Sequence, residues 1–409
     1  MDRPVVSRFR PTVVVGLVYA SSAVVWASFS LLSVSLPFRF QALGLSVVQY
    51  GLAIAVFALG MLVTETVWGV LAFRIGNLRT VLALGILVLA LYFAIAMSTS
   101  FGALLVSLGL FGAVIIYPVP LFRWMAMIAG GPGTEGTGTG RYGLFFGGGM
   151  VVGSALGPLV YSTWGFETLM LVVLGTYATG LALMALLPWQ EARLPRAERG
   201  TYSLVRRVLT GPFLFASLLA VLSYLAFTLV VNFLQLYSVG TFHGTDADAG
   251  YVIGLARATL LIAGFVLGGV VDRFRPLRSM PFAFLLITLG ALGTWFSSSY
   301  LEMVGATIVL AAGMGWLTAG LLPLALDTMP LPLQGTAVGL FGSFEDLGLL
   351  VGPIILSAVY AAYGVGAMFL LVAVLALAGA ALAGAVWLAR WGPWQASRAA
   401  PSEPRGPSG

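Results

Sequence analysis

The sequence predicts an all-α membrane protein, with twelve transmembrane helices in two pseudo-symmetric six-helix bundles. Three observations predict it. The 409-residue chain is 60% hydrophobic and only 8% charged, with a mean hydropathy of +1.02, whereas soluble domains carry roughly a quarter charged residues. Its apolar residues fall into twelve long runs, six before a polar linker and six after it. Glycine-rich segments recur at nearly one spacing in the two halves. The first observation alone excludes a soluble enzyme or a nucleic-acid binder.

A helix needs about 20 mostly apolar residues to cross roughly 30 Å of hydrocarbon. The runs that meet this length in the first half are 12–36, 47–72, 78–98, 102–128, 142–162 and 166–188. Those in the second are 211–238, 249–271, 279–298, 302–326, 335–360 and 364–390. The division is therefore an N-terminal bundle over 1–188, a linker over 189–208, a C-terminal bundle over 209–392 and a tail over 393–409. The tail is rich in Pro, Ser and Gly and reads as disordered. The first run is too long for a signal-peptide core and reads as an uncleaved helix.

The arginines give the orientation. All 20 basic residues are arginine, and seventeen of them fall on one side of the predicted spans. They include Arg3, Arg8 and Arg10, then Arg74, Arg79 and Arg141, and later the linker, the segment at Arg273 and the tail. The other side holds only Arg39. Positively charged loops stay in the cytoplasm, so both termini and the linker are expected there, in the plasma (inner) membrane. The net charge of +6 is thus a topology signal and not a nucleic-acid footprint.

Other chemistry is bounded by what the chain omits. It holds no cysteine, which excludes disulfides and thiolate metal sites, and its single histidine, His243, makes no imidazole cluster. No nucleotide-binding loop of the G-x-x-x-x-G-K-[ST] type is present. The sequence predicts no enzyme, metal or cofactor.

The internal repeat appears twice in the same order. After the second span stands Gly69-Val-Leu-Ala-Phe73-Arg74-Ile-Gly76-Asn-Leu-Arg79, and after the eighth Gly268-Gly-Val-Val-Asp272-Arg273-Phe-Arg-Pro-Leu-Arg278, an offset of 199. The fifth span carries Gly153-Ser-Ala-Leu-Gly157-Pro158 and the eleventh Gly348-Leu-Leu-Val-Gly352-Pro353, an offset of 195. The reading is a duplicated bundle whose halves face one another across a central pathway.

On these features residues 10–392 resemble the major facilitator superfamily. The Gly69–Arg79 segment is similar to the family's signature loop, G-x-L-A-D-R-x-G-R-K, but has Phe73 at the aspartate; the second copy keeps Asp272 and Arg273. In the family this loop helps to latch one conformation. Gly153, Gly157 and Pro158 resemble part of the motif associated with antiporters, although Tyr161-Ser162 stands where a glycine pair usually follows. The fourth-helix arginine of proton-driven drug exporters is absent near Ser107–Leu108.

Charges at membrane depth normally face a partner or a wet cavity. Glu65 in the second span lies about 10 Å from the helix end and Arg123 in the fourth about 8 Å, so the two are expected to pair within one half. Glu345 and Asp346 fall near the middle of the eleventh span, and Arg257 in the eighth lies within about 7 Å of their level, close enough to bridge to one of them. Three acids then face two arginines. The carboxylate left over, Glu345 or Asp346, could carry a proton as the cavity alternates sides. Arg257 could instead meet an anionic solute. Asp327 marks a membrane edge, while Asp246, Asp248 and His243 are read as outer-loop surface.

The uncharged candidates lie on the first and seventh spans. Tyr224, Thr228 and Gln235 recur at intervals of 4 and 7, with Asn232 close by, and Tyr19, Ser22, Trp26 and Ser30 have a similar spacing. The resemblance implies that both helices line the cavity. The expected function is secondary active transport of a small solute by alternating access. Its leading form is proton-coupled efflux of amphipathic compounds by a monomer. The alternatives are proton-coupled uptake of a small organic anion and a non-transporting solute sensor.

Overall fold

Inside hydrocarbon each backbone N–H and C=O must find its partner within the protein, which turns long apolar runs into helices. A computed structural model describes residues 11–75, 77–115, 135–187, 206–274, 276–327 and 329–389, without the side chains at 65–75, 77–80, 135–140 and a few isolated positions. The chain opens with α1 (Pro11–Ala42), α2 (Val47–Ile75), α3 (Asn77–Met97) and α4 (Phe101–Ile115). The helical stretch Glu135–Ala185 breaks at Gly165 into α5 (135–164) and α6 (166–185). α7 covers Gly211–Phe242, with a π-helical turn at Leu229–Phe233. The second half continues with α8 (Asp246–Phe274), α9 (Pro276–Phe296), α10 (Tyr300–Leu326), α11 (Leu331–Tyr363) and α12 (Val365–Leu388).

Nine of the described helices are long and apolar enough to cross a membrane, and Val81–Met97 and Phe101–Ile115 are shorter apolar helices. One of the nine is the 45-residue stretch Arg141–Ala185, which the break at Gly165 divides into two crossings. Each of the twelve predicted spans thus has a described helix in its place, the fourth only as far as Ile115. All of the linker at 189–208 except 206–208, and the whole tail at 393–409, lie outside the described residues.

The duplication is written into the connections. Gly44 between α1 and α2 has φ 71°, and 199 positions later His243 has φ 53°, the only non-glycine among the described residues with positive φ. Ser46 and Gln49 cap α2 reciprocally, each backbone N–H donating to the other side chain. At the same offset Thr245 and Asp248 do this for α8. The Ser100 hydroxyl accepts from Ala103 N–H at the start of α4, and the Ser299 hydroxyl from Glu302 N–H at the start of α10. Asp248, read from sequence as plain loop surface, is thus a helix cap.

The breaks α5–α6 and α11–α12 are the clearest copies. Gly165 sits at φ 82°, ψ 174° and Gly364 at φ 83°, ψ 173°, again 199 apart. That region is essentially closed to residues with a Cβ, at a cost of about 1–3 kcal/mol. Gly364→Ala is accordingly expected to lower the melting temperature of the purified protein by several degrees. Gly384→Ala, which places its Cβ in open space within α12, should leave it unchanged; equal melting curves for both would mean that the break tolerates a side chain.

Packing repeats the same order. Within the first half α1 lies on α5, α2 on α4 and α3 on α6; within the second, α7 lies on α11, α8 on α10 and α9 on α12. The glycines of α5 and α11 allow the first of these contacts. A Cβ on Gly153 would stand 2.8 Å from the Ser30 Cβ, and one on Gly348 2.7 Å from the Tyr224 Cβ. Small residues let helices approach in this way where lipid offers no hydrophobic drive. Gly157 meets the backbone of Leu31 and Gly352 meets Thr228, so the repeated Gly-x-x-x-Gly-Pro segments are helix-packing surfaces in both halves.

The halves meet through α2 with α11 and α5 with α8. Gly51 abuts Pro353 and Ser357, while Gly250 abuts Ser154 and Pro158. These contacts lie toward the end of the molecule that carries the α1–α2 and α7–α8 connections, and that end is closed.

Candidate functional site

α1, α5 and α8 bring three polar residues together at mid-depth: Ser30, Ser154 and Arg257. Ser30 lies one turn along α1 from Trp26, and Ser154 comes directly after the packing glycine Gly153, which holds α5 close enough to α1 for the two hydroxyls to stand 2.9 Å apart. Both hydroxyls donate to the Met150 carbonyl, each at 2.7 Å. Their lone pairs are thereby left to accept from Arg257 Nη1, which donates to Ser154 Oγ at 2.7 Å and to Ser30 Oγ. An arginine of the second half is thus held by two hydroxyls of the first.

Arg257 is 7% exposed. Its Nε and Nη2 are buried and have no hydrogen-bond partner among the described residues. The expected bridge from Arg257 to Glu345 or Asp346 is not formed. The reason is height: Arg257 is about 16 Å along α8 from the closed end, whereas Glu345 is about 27 Å along α11 from that end, so the levels differ by roughly 10 Å. Arg257 is the only charged side chain that is buried among the described residues. Tyr50 of α2, fully buried, stands near enough to couple electrostatically to the guanidinium. Its hydroxyl donates to Asn232 Oδ1 of α7 at 3.4 Å.

Glu345 and Asp346 are half-buried on α11, and the Tyr224 hydroxyl of α7 donates to Glu345. The two acids and Tyr224 form a second polar level, farther from the closed end than Arg257. The Glu65 side chain and all of Arg123 lie outside the described residues, as do Gly76 and the side chains of Arg74 and Arg79, so the expected ion pair and the contacts of the first signature loop do too. Arg273 is exposed at the end of α8, and the Asp272 side chain lies outside the described set.

The solute candidates of α7 do not share one face. The π-helical turn inserts an extra residue between Thr228 and Gln235 and rotates the remainder of the helix by roughly 100°. Asn232 is brought toward the Tyr224 face and reaches Tyr50. Gln235 turns away and donates to its own Val231 carbonyl at 3.3 Å, leaving its Oε1 without a partner among the described residues. On α1, Tyr19 stacks on Phe145 at 4.9 Å, and Trp26 packs against Phe29 and Phe146 at 5.4 and 4.5 Å. Ser22 Oγ, Trp26 Nε1 and Thr228 Oγ1 are buried with no hydrogen-bond partner among the described residues.

Sequence reasoning missed Ser154 and Tyr50 as site residues. Ser154 was legible as the one polar residue within a glycine packing segment. Tyr50 carried no such signal, since its role depends on α7 lying opposite.

A helical bundle of two repeats meeting across a polar centre defines a membrane transporter fold. The profile of the Major Facilitator Superfamily matches residues 18–296 and 216–408. The chain belongs to that superfamily. It is 27% identical over 267 residues to solute carrier family 22 member 18 of Rattus norvegicus, a match covering 62% of this chain and 64% of that relative's length. Its fold is similar to the nucleoside transporter NupG (TM-score 0.76, 13% identity, 91% of this chain and 99% of that one). It is also similar to the POT family transporter PepTSo (TM-score 0.76, 14% identity, 95% and 99%) and to a bacterial homologue of the human lysosomal transporter Spinster (TM-score 0.71, 15% identity, 96% and 98%).

Proposed function

We propose that this chain is a proton-coupled, alternating-access carrier of a small amphipathic organic anion, acting as a monomer in the plasma membrane with both termini cytoplasmic. The observation that carries the reading is Arg257, buried across the two halves with no carboxylate on its guanidinium among the described residues. A charge at membrane depth without a counter-charge is costly, and a solute anion would supply one. The aromatic group around Trp26 supports an apolar body on that solute, because Trp26 lies one turn from Ser30 on the same side of α1.

Glu345 and Asp346 are the proton carriers in this reading, half-buried at a level apart from the arginine. With the arginine-rich segments in the cytoplasm, the end at which α2 meets α11 and α5 meets α8 is the outer one in this reading. The Gly153–Pro158 segment, which suggested export, is accounted for by packing on α1 and carries no direction of transport.

The test is a panel of solutes added to proteoliposomes that hold a trapped pH dye. Organic anions are expected to trigger proton flux that hydrophobic cations and neutral amphiphiles do not. Proton movement driven equally by cations would overturn the anion assignment. Binding without any flux would identify a sensor.

A further inference from the structure

The atoms that Arg257 leaves unused narrow the solute further. A guanidinium is planar and presents two edges on which a pair of N–H groups point the same way. One edge joins Nη1 and Nη2, and the other joins Nε and Nη2. Here Nη1 is consumed by Ser30 and Ser154, so the end-on edge is blocked. The two nitrogens without partners among the described residues, Nε and Nη2, are those of the side-on edge. Two parallel N–H groups match the two oxygens of a carboxylate in a fork-to-fork pair.

We infer that Arg257 is a side-on clamp for a single carboxylate, and that Ser30 and Ser154 are positioning residues that fix the plane of the guanidinium. The inference rests on the organic-anion reading above and adds the headgroup to it. Charge selects a monoanion. Arg257 is the one buried cation among the described residues, so a phosphate dianion would keep half of its charge uncompensated. Two half-buried acids, Glu345 and Asp346, stand on the side away from the closed end and oppose a second negative charge. The serines suit the role because their own protons are committed to the Met150 carbonyl. They can only accept at Arg257, and the guanidinium cannot turn its other edge to the solute without losing both bonds.

The experiment uses the full-length purified chain in detergent, with acetate, benzoate, 2-naphthoate, benzamide and phenyl phosphate as probes. Binding is read as thermal stabilisation and by competition with labelled 2-naphthoate. Benzoate and 2-naphthoate are expected to bind, and neutral benzamide and phenyl phosphate to bind at least about tenfold more weakly. Arg257→Lys keeps the charge but not the fork, so it should lose about tenfold in 2-naphthoate affinity, as Arg257→Gln should. The Ser30→Ala/Ser154→Ala double variant should weaken binding of carboxylates while leaving benzamide unchanged, and Ser30→Ala/Ser154→Thr, which returns one of the two hydroxyls, should recover part of that binding.

Wild-type affinity in Arg257→Lys would overturn the side-on clamp while leaving the anion reading intact. Phenyl phosphate bound as tightly as benzoate would overturn the monocarboxylate assignment. If no acid outbinds benzamide, and Arg257→Gln changes nothing in a protein that elutes and melts as wild type, the anion reading itself fails.

Discussion

Neutralising both acids of α11, as Glu345→Gln/Asp346→Asn, is expected to abolish solute accumulation driven by a pH gradient in proteoliposomes. Exchange of internal for external solute should stay within a few-fold of wild type. The two effects separate because the acids stand apart from Arg257 by roughly 10 Å of helix height. Exchange needs only a bound solute and a carrier that changes sides, whereas accumulation needs a group whose proton occupancy differs between the two sides. Two adjacent carboxylates at membrane depth are costly as charges and are hard to explain by packing alone. Tyr224 donates to Glu345, so Tyr224→Phe should perturb accumulation while leaving exchange intact. Equal loss of exchange and accumulation in the double variant would make the acids part of solute binding, and unchanged accumulation would remove them from coupling.

The second large effect is expected at the glycines that join the halves. A Cβ on Gly51 would stand 2.6 Å from the Pro353 carbonyl, and one on Gly250 2.9 Å from both the Ser154 carbonyl and the Pro158 ring. Backbone atoms cannot rotate aside, so Gly51→Leu or Gly250→Leu must push α2 from α11 or α5 from α8. Overpacking of this kind costs about 1–3 kcal/mol, and every 1.4 kcal/mol shifts a two-state population about tenfold. The closed end should therefore open, and transport should fall about tenfold or more.

The chain has no native cysteine, so spin labels at Gln41→Cys and Thr241→Cys, both exposed at the closed end and one in each half, report the separation directly. Longer label distances are expected in either leucine variant. Gly175→Leu, at an exposed position in α6 with open space around it, should leave the distances as in wild type. Unchanged distances in Gly51→Leu and Gly250→Leu would mean that these glycine contacts do not hold that end closed.

Particular residues show where sequence reading succeeds. Span positions come from hydropathy, and hydropathy belongs to the segment alone. The duplication was legible in Gly69 and Gly268 because both copies kept their glycines. The same offset then proved to govern Ser46 and Thr245, Ser100 and Ser299, and Gly165 and Gly364, which cap or break helices through bonds spanning a few residues. The α7 register failed for a local reason of another kind. An even 3.6-residue period placed Gln235 with Tyr224, and one π-helical turn moved it away.

The membrane class, the twelve spans, the repeat and the candidate polar residues could all be read along the chain, because composition, periodicity and helix caps act within a turn or a single span. Which of those residues meet was settled by packing between helices. Ser30 and Arg257 are 227 positions apart, and Tyr50 and Asn232 are 182 apart. Their contact depends on the relative height and closeness of helices from different halves, set by glycine contacts such as Gly153 on α1 and Gly250 on α5. Arg257 was foreseen as a buried cation. That it faces two serines and not an acid results from an axial offset between α8 and α11 that no span boundary reveals.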